Sequence, residues 1–262
     1  MQNRPYILTI AGFDPSSGAG VTADVKTFEA LTCYGFAVCT GNTIQNDTDF
    51  EECHWIDIEI IKKQIKILFK KFSIDYVKIG IVKDWKALEE IVGFLIEQNS
   101  TVKIILDPVL KSSSNFDFHS SNTSSNDPDL NRVNIENHFE GVLKKIYLLT
   151  PNYDEIEKLY TDKTIEETIR HVGSKTNLLL KGGHRKKKVG KDELFTREGG
   201  YFVLNPKNKN ITEKHGSGCV LSSAITAQLA LGFPILKACY RAKRYTEKVL
   251  SSNKTLLGYH RI

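Results

Sequence analysis

The sequence predicts an α/β protein with a mostly parallel β-sheet that is covered by helices on both faces. Strand-like apolar runs alternate with helical patterns through the first two thirds of the chain, which is typical of parallel sheets. The strand runs are continuously apolar rather than alternating, as expected for strands that are buried on both sides. Glycines and polar residues follow these runs repeatedly, at the strand ends where such folds bind ligands.

Short β-branched and apolar runs define the strands of the first half. We expect strands at Tyr6–Ala11, Phe36–Thr40, Tyr76–Ile79 and Val102–Leu106. Apolar residues at three- and four-residue steps predict helices at Val21–Tyr34, Ile58–Phe72 and Asp84–Gln98, the last with Asp84 as its N-cap. The polar stretch Gly41–Thr48 is expected to be a loop.

The second half of the chain continues the alternation of strands and helices and then contains a predicted antiparallel strand pair. We expect strands at Ile146–Thr150 and Leu178–Leu180, with short helices through Leu159 and at Thr164–Val172 between them. An antiparallel pair is predicted at Glu193–Phe195 and Tyr201–Leu204, joined by Arg197–Gly200. The Ser- and Asn-rich segment Lys111–Asp129 is expected to be a surface loop, too short to separate domains. We therefore expect one domain over residues 1–262.

Composition excludes several function classes. The 262 residues are 40% hydrophobic and 26% charged, as in ordinary globular proteins. The net charge of +5 is dispersed, and the basic segment Arg185–Lys191 lacks interleaved aromatics, so no nucleic acid partner is expected. No signal-peptide pattern or membrane-length apolar stretch is present, which predicts a cytoplasmic protein without a membrane partner. Five cysteines without metal-type spacing predict reduced thiols.

The turn from His215 to Cys219 (His-Gly-Ser-Gly-Cys) organises the C-terminal part. Its two glycines permit a tight turn, and the apolar run Val220–Leu231 that follows predicts a buried helix. Unpaired N–H groups at a helix start form an anion site, and a thiol there has a lowered pKa. The alternative interpretation is a close-packed turn with Cys219 as small apolar filling.

Residues suited to chemistry follow the predicted strands. Gln45, Gly80, Asp107, Asn152 and Lys181 all lie just beyond strand ends, and this repetition indicates an enzyme. Structural alternatives remain for single residues, because Asn152 could cap a helix, Asp107 could be a turn residue and Gln45 could be loop surface. The Gly-rich loop Gly12–Gly20 matches neither a P-loop nor a dinucleotide fingerprint.

Six motifs appear in order along the chain. They are Ala11–Gly20 with Ala23–Phe28, Lys78–Gly80, Asp107–Val109, Thr150–Glu155, Lys181–His184 and His215–Ala224. The set resembles the bacterial hydroxymethylpyrimidine/phosphomethylpyrimidine kinases of thiamin biosynthesis, in the ribokinase-like superfamily, from Ile7 to about Leu250. The resemblance implies a three-layer α/β/α sandwich with a short antiparallel edge pair. It also implies ATP-dependent phosphorylation of 4-amino-5-hydroxymethyl-2-methylpyrimidine and then of its monophosphate to the diphosphate.

The resemblance also implies a role for each matching residue. Cys219 would be catalytic near the accepting oxygen, with Gly216, Ser217 and Gly218 completing an anion hole. Gln45 would bind the aminopyrimidine edge, which suits an amide that both donates and accepts. The rest of that pocket would be lined by Gly12, Ala19, Ile81 and Val109. The ATP phosphates and Mg²⁺ would be held by Asp107, Asn152, Glu155 and Lys181, with Asp107 and Glu155 as the metal ligands.

Departures from the family pattern and competing functions leave the shape of the acceptor pocket and the choice of substrate open. The family usually has Ser or Thr at Phe13, Gly at Ser17, Thr at Ser217 and Met at Ile81, and the first two changes affect the shape of the acceptor pocket. A pyridoxal kinase of the same superfamily is the nearest alternative. A non-catalytic binding protein would be expected to lose Cys219, Lys181 or the glycine turn, and all are present. The oligomeric state stays open between a monomer and a homodimer.

Overall fold

The computed structural model describes residues 4–109, 138–160, 162–183, 189–208 and 210–260. The expected loop at Lys111–Asp129 and most of the basic segment Arg185–Lys191 lie outside these ranges. Within these ranges there are nine strands: β1 (Tyr6–Phe13), β2 (Tyr34–Gln45), β3 (Phe50–Trp55), β4 (Tyr76–Ile79), β5 (Lys103–Leu106), β6 (Leu148–Leu149), β7 (Asn177–Leu180), β8 (Asp192–Phe195) and β9 (Tyr201–Leu204).

Helices connect most of these strands. They are α1 (Gly20–Ala30), α2 (Ile58–Phe69), α3 (Trp85–Gln98), α4 (residues 138–143), α5 (Tyr153–Leu159), α6 (Ile165–Gly173), α7 (Ser217–Ala230) and α8 (Ile235–Leu250). The predicted cap of α3 is confirmed, since the Asp84 side chain accepts from the Ala87 N–H. The first helix ends before the predicted Tyr34, because Thr32 takes a φ of 62°.

All nine strands join one sheet in the order β3-β2-β1-β4-β5-β6-β7-β8-β9. The six strands from β2 to β7 in this order are parallel, which confirms the predicted parallel sheet. The predicted antiparallel pair is confirmed as β8 and β9, and β8 is also antiparallel to β7. A further antiparallel strand, β3, lies at the opposite edge.

The prediction of a polar loop at Gly41–Thr48 is wrong. Strand β2 continues to Gln45, reverses direction, and returns as β3. The reversal is closed by Asn46, whose side-chain oxygen accepts from the N–H groups of Thr48 and Asp49, both at 2.7 Å. Asn side chains commonly stabilise turns in this way. The hairpin places Gln45 at a strand end rather than in a loop.

Three layers follow from the two faces of the sheet. Successive strand residues point to opposite faces, so Ile104 packs into a core with α2 to α6 while Ile105 packs into a core with α7 and α8. A third cluster joins Phe28 of α1 to Ala227 of α7 on the second face. This arrangement confirms the predicted α/β/α sandwich. Among the described helices, none is long and apolar enough to cross a membrane.

Candidate active site

The register of the parallel strands brings the predicted site residues to one edge of the sheet. The Gly80 N–H donates to Ile10 O and the Asp107 N–H to Ile79 O, both at 2.9 Å. Next along the edge, the Lys181 N–H donates to Pro151 O at 2.8 Å. The residues just beyond these strands therefore lie side by side, although they are far apart in sequence.

The glycine turn before α7 has the backbone geometry that the sequence predicts. Gly216 is the N-cap with a φ of 72°, and a Cβ there would lie 2.0 Å from Gly18 O, so both strain and contact require glycine. The helix starts at Ser217, three residues before the predicted Val220. The Val220 N–H donates to Gly216 O at 3.0 Å, and no side chain in the described ranges caps the turn. The Ser217 N–H donates to Lys214 O at 3.4 Å, which leaves the N–H groups of Gly218 and Cys219 available to an anion.

A buried ion pair lies beneath this turn. The Lys181 ammonium is 2.6 Å from Asp107 Oδ1, and Asp107 also accepts from Thr150 and Ser222, each at 3.1 Å. Burial opposes ionisation of Asp107, but the cations of Lys181 and Lys78 outweigh it and lower its pKa. A Cβ at Gly218 would lie 3.3 Å from Lys181 Nζ. The turn, the lysine and the carboxylate therefore share one site, and Asp107 is not an exposed turn residue.

Asn152 and Glu155 form a capping box at the start of α5. The Asn152 side chain accepts from the Glu155 N–H at 2.8 Å, and the Glu155 carboxylate accepts from the Asn152 N–H at 2.7 Å. The alternative role of Asn152 as a helix cap is thus confirmed. Glu155 also faces the site, since its carboxylate lies 3.6 Å from Lys181 Nζ. Burial raises the pKa of Glu155 against the opposing effect of Lys181.

The carboxylates suit a metal ion that is shared with a ligand. Among the residues that the structure describes, no group of three or more His, Cys, Asp or Glu side chains could hold a metal ion. Asp107 and Glu155 offer two carboxylates, 2.6 Å and 3.6 Å from Lys181 Nζ. Mg²⁺ is usually bound by one or two carboxylates together with substrate phosphates. The donor set therefore fits a Mg²⁺ ion that arrives with a nucleotide.

The predicted acceptor pocket lies on the β1 side of the turn. Ile81 packs so closely on Gly12 that a Cβ at Gly12 would lie 2.4 Å from Ile81 Cδ1. The N–H groups of Ala19 and Val109 already donate to Asp14 and to Asp107 O, each at 2.8 Å. These two residues can thus offer a ligand their side chains but not those N–H groups.

Gln45 is held along its own strand. Its amide Nε2 donates to Thr43 Oγ1 at 2.8 Å, and Thr43 in turn donates to Phe13 O at 2.8 Å. The amide is fixed at the end of β2 rather than free on a loop surface. A ligand that pairs with the nitrogen of Gln45 would have to replace or share the bond to Thr43.

The expected lowering of the pKa of Cys219 is wrong for the protein without ligands. Burial raises the pKa of the Cys219 thiol to about 11, and the charges of Asp24 and Asp107 add to this effect. The Lys78 ammonium and the Gly20 N–H oppose the rise but do not reverse it. Desolvation therefore outweighs the favourable position at a helix N-terminus, and the thiol is protonated at neutral pH.

A second buried ion pair joins Lys78 and Asp24, for which no role was predicted from the sequence. Lys78 and Asp24 are both fully buried, with Lys78 Nζ 2.8 Å from Asp24 Oδ2. Asp24 also accepts from Thr9 at 2.6 Å and from Ser223 at 2.5 Å, and Ser223 lies one turn after Cys219 on α7. The sequence does contain a sign of this pair, namely a lysine inside an apolar strand run. Because lysines are almost never buried unless they are paired, such a lysine indicates a buried carboxylate partner.

Comparison with known proteins identifies the family. A family model described as phosphomethylpyrimidine kinase matches residues 14–261. The chain belongs to the phosphomethylpyrimidine kinase family. It is 34% identical to the hydroxymethylpyrimidine/phosphomethylpyrimidine kinase of Aquifex aeolicus, over 96% of this chain and 97% of the relative. Membership confirms the resemblance seen in the sequence and makes the protein a phosphotransferase that uses ATP.

Solved structures of similar shape fall into two groups. The phosphomethylpyrimidine kinase of Clostridium difficile 630 is 30% identical, with a TM-score of 0.72 over 93% of this chain and 98% of that chain. The pyridoxal kinase of Staphylococcus aureus in complex with AMP-PCP and pyridoxal has a TM-score of 0.78 at 20% identity, over 97% and 91% of the two chains. The second similarity shows the shared fold alone.

The raised pKa of Cys219 predicts slow alkylation at neutral pH. Only the thiolate reacts, so with a pKa of about 11 the rate should still rise about tenfold per pH unit between about pH 7 and about pH 9.5. Mass spectrometry of the Cys219 peptide after timed iodoacetamide treatment measures this rate. A rate that levels off below pH 8 would show instead that the helix N-terminus dominates.

Proposed function

We propose that the protein transfers the γ-phosphoryl group of ATP to hydroxymethylpyrimidine and then to its monophosphate, forming the diphosphate used in thiamin biosynthesis. The observation that carries this proposal is the glycine turn of α7 above Lys181 and Asp107, with the Cβ position of Gly218 3.3 Å from Lys181 Nζ. N–H groups and a lysine that converge on one point suit a phosphoryl group in transfer.

The nucleotide side of the site would be built on Lys181, Asp107 and Glu155. Lys181 is a buried point charge within reach of phosphate oxygens, and its two carboxylate partners raise its pKa although burial lowers it. Asp107 and Glu155 would hold Mg²⁺ together with ATP, and the ion would neutralise charge on the phosphates. Asn152 would act there by fixing Glu155 through the capping box.

The acceptor side would be built on the ends of β1, β2 and β4. The Gln45 amide offers both a donor and an acceptor to an aminopyrimidine edge, and Ile81 with Gly12 forms an apolar wall beside it. Of the four departures from the family pattern, two lie next to this side of the site: Phe13, at the end of β1, is 39% exposed, and Ser17, in the following loop, takes a φ of 60°. They would alter the entrance to the pocket rather than the reacting atoms.

Cys219 would position the attacking hydroxyl. A thiol that is protonated at neutral pH cannot accept a proton, but it can hydrogen-bond the hydroxyl oxygen. Phosphoryl transfer passes through a loose transition state in which positioning and charge stabilisation contribute most. Cys219 would therefore contribute by orienting the hydroxyl. The turn of Gly216, Ser217 and Gly218 would form the anion hole, with the Gly218 N–H open to the transferring phosphoryl group and the Ser217 N–H shared with Lys214 O.

A cytoplasmic location and small-molecule partners complete the proposal. All five cysteines are free thiols, which is usual in a reducing compartment. The relatives from Aquifex aeolicus, Staphylococcus aureus MRSA252 and Clostridium difficile 630 are 34%, 32% and 30% identical and carry pyrimidine kinase names. The pyridoxal kinases of Bacillus subtilis and Staphylococcus aureus are 24% and 22% identical. Pyridoxal is thus the comparison substrate and not a second proposal.

The first test compares three acceptors. ADP release with MgATP should be fast with hydroxymethylpyrimidine and with its monophosphate, and much slower with pyridoxal. A coupled assay at matched acceptor concentrations measures all three rates, and phosphorus NMR identifies the products. A preference for pyridoxal, or no release with either pyrimidine, would contradict the proposed function.

The second prediction concerns Gln45. Gln45→Ala should leave the aminopyrimidine edge unpaired and weaken transition-state binding of that substrate by about 1–3 kcal/mol. Pyridoxal lacks this edge and should lose less in kcat/KM. Thr43→Val is the matched control, because it removes the partner that now holds Gln45 but keeps the amide. Equal losses for both substrates would remove Gln45 as the specificity residue.

The third prediction concerns Cys219. Cys219→Ala should lower kcat by about 10²-fold, the size of loss that follows when a reacting group is misplaced by about 1 Å. ATP affinity should change little, because the nucleotide would be held by Lys181 and Asp107. Cys39→Ala controls for loss of a thiol elsewhere. Near-native kcat in Cys219→Ala would mean that Cys219 is apolar filling and that the turn alone carries catalysis.

A further inference from the structure

Two loops that would serve different halves of the reaction are packed directly on each other. The acceptor loop is residues 14–19, between β1 and α1, and the catalytic turn is residues 215–219. A Cβ at Gly216 would lie 2.0 Å from Gly18 O, and one at Gly18 would lie 2.5 Å from His215 Cδ2. Contacts this close leave no room for a side chain, so the relative position of the two loops is tightly set.

One buried carboxylate organises the acceptor loop. Asp14 is 1% exposed, and it accepts from the N–H groups of Ser16 (2.8 Å), Gly18 (3.1 Å) and Ala19 (2.8 Å). The Ser16 hydroxyl also donates to it. These bonds fold residues 14–19 around a single side chain, in the way that Asp commonly closes turns.

The same carboxylate reaches the catalytic turn. His215 Nε2 lies 2.9 Å from Asp14 Oδ2, and the His215 side chain is 5% exposed. The His215 main-chain N–H donates to Leu256 O at 2.9 Å, so the residue is anchored from behind by the C-terminal segment. Asp14 and His215 together form a buried link, called here the loop clamp.

The loop clamp connects the proposed acceptor side of the site with the catalytic turn. At the end of the acceptor loop, the Gly20 N–H favours the thiolate of Cys219 and so acts on that sulfur, and a Cβ at Gly20 would lie 2.1 Å from Gly12 O. The loop thus runs from the proposed acceptor pocket to the catalytic thiol. A shift of the loop against the turn would move the acceptor hydroxyl away from the anion hole.

We propose that Asp14 and His215 are positioning residues whose hydrogen bond sets the alignment of the acceptor pocket with the catalytic turn. The inference rests on the proposed function for the roles of the two loops. Neither side chain needs to touch the reacting atoms. Since phosphoryl transfer depends mainly on positioning, loss of the bond lowers kcat for acceptor phosphorylation while the nucleotide side keeps its affinity.

The test compares two amides at position 215. A Gln side chain can place its Nε2 donor where the His Nε2 donor lies, whereas Asn carries the same amide on a shorter arm. His215→Gln should keep kcat close to wild type, and His215→Asn should lower it by about 10²-fold, as a misplacement near 1 Å does. The KM for ATP should stay near wild type in both. Ser16→Ala, which removes a donor to Asp14 without separating the loops, is the matched control.

Further measurements separate positioning from stability. Calorimetric titration with an ATP analogue counts the folded sites, and kcat is expressed per site. Asp14→Asn should lower kcat per site at least as much as His215→Asn, because Asp14 also accepts from the N–H groups of its own loop. The double variant should be no worse than the poorer single variant, because either single change already disrupts the bond between the two loops. Equal rates for the Gln and Asn variants, losses that multiply in the double variant, or a loss confined to the number of folded sites would each overturn the proposal.

The choice of acceptor keeps this test separate from the proposed function. The variants are assayed with whichever of hydroxymethylpyrimidine, its monophosphate or pyridoxal the wild-type protein phosphorylates fastest. A wild-type preference for pyridoxal would overturn the proposed substrate. The ratio between the Gln and Asn variants would then still decide the role of the loop clamp.

Discussion

The buried ion pair between Asp107 and Lys181 is the interaction on which the arrangement of the site depends. Removing two charges from water costs several kcal/mol per ion in general, and this pair offsets that penalty through a 2.6 Å contact together with hydrogen bonds from Thr150 and Ser222. Ser222 belongs to α7, so the pair also fixes the helix that carries the catalytic turn. An isolated buried carboxylate or lysine could not persist here in its charged form.

This constraint explains why small residues are concentrated above the pair. The Cβ position of Gly218 lies 3.3 Å from Lys181 Nζ and 3.9 Å from Asp107 Oδ2, so a larger residue would cover the charges that a phosphate must reach. Gly216, at a φ of 72°, lets the chain enter α7 without a capping side chain that would occupy the first N–H groups. Access for an anion thus comes from missing side chains as much as from positive charge.

The sequence predicted the parallel sheet, its alternation with helices and the clustering of site residues, because these follow from hydrophobic runs and from what comes after them. It did not predict the β2–β3 hairpin, since the polar strand from Gly41 to Gln45 is held by the turn at Asn46 and not by an apolar face. The start of α7 was predicted at Val220 rather than Ser217 for a related reason. Small residues such as serine and glycine do not contribute to the hydrophobic periodicity from which a helix is recognised. Lys78 and Asp24 sat within recognised motifs, but only the packing shows that they neutralise each other.

The pKa of Cys219 is the property that its position in the sequence predicts least well. A helix N-terminus favours a thiolate, but burial and the negative charges of Asp24 and Asp107 raise the pKa of this thiol to about 11. ATP phosphates would bring further negative charge and oppose ionisation again, while Lys78 is already engaged by Asp24 at 2.8 Å. Every charge that the site would gain from the nucleotide itself favours the protonated thiol. A sulfur held in that state is better suited to orient a hydroxyl than to remove its proton, so alignment of the two loops matters more than the strength of a base.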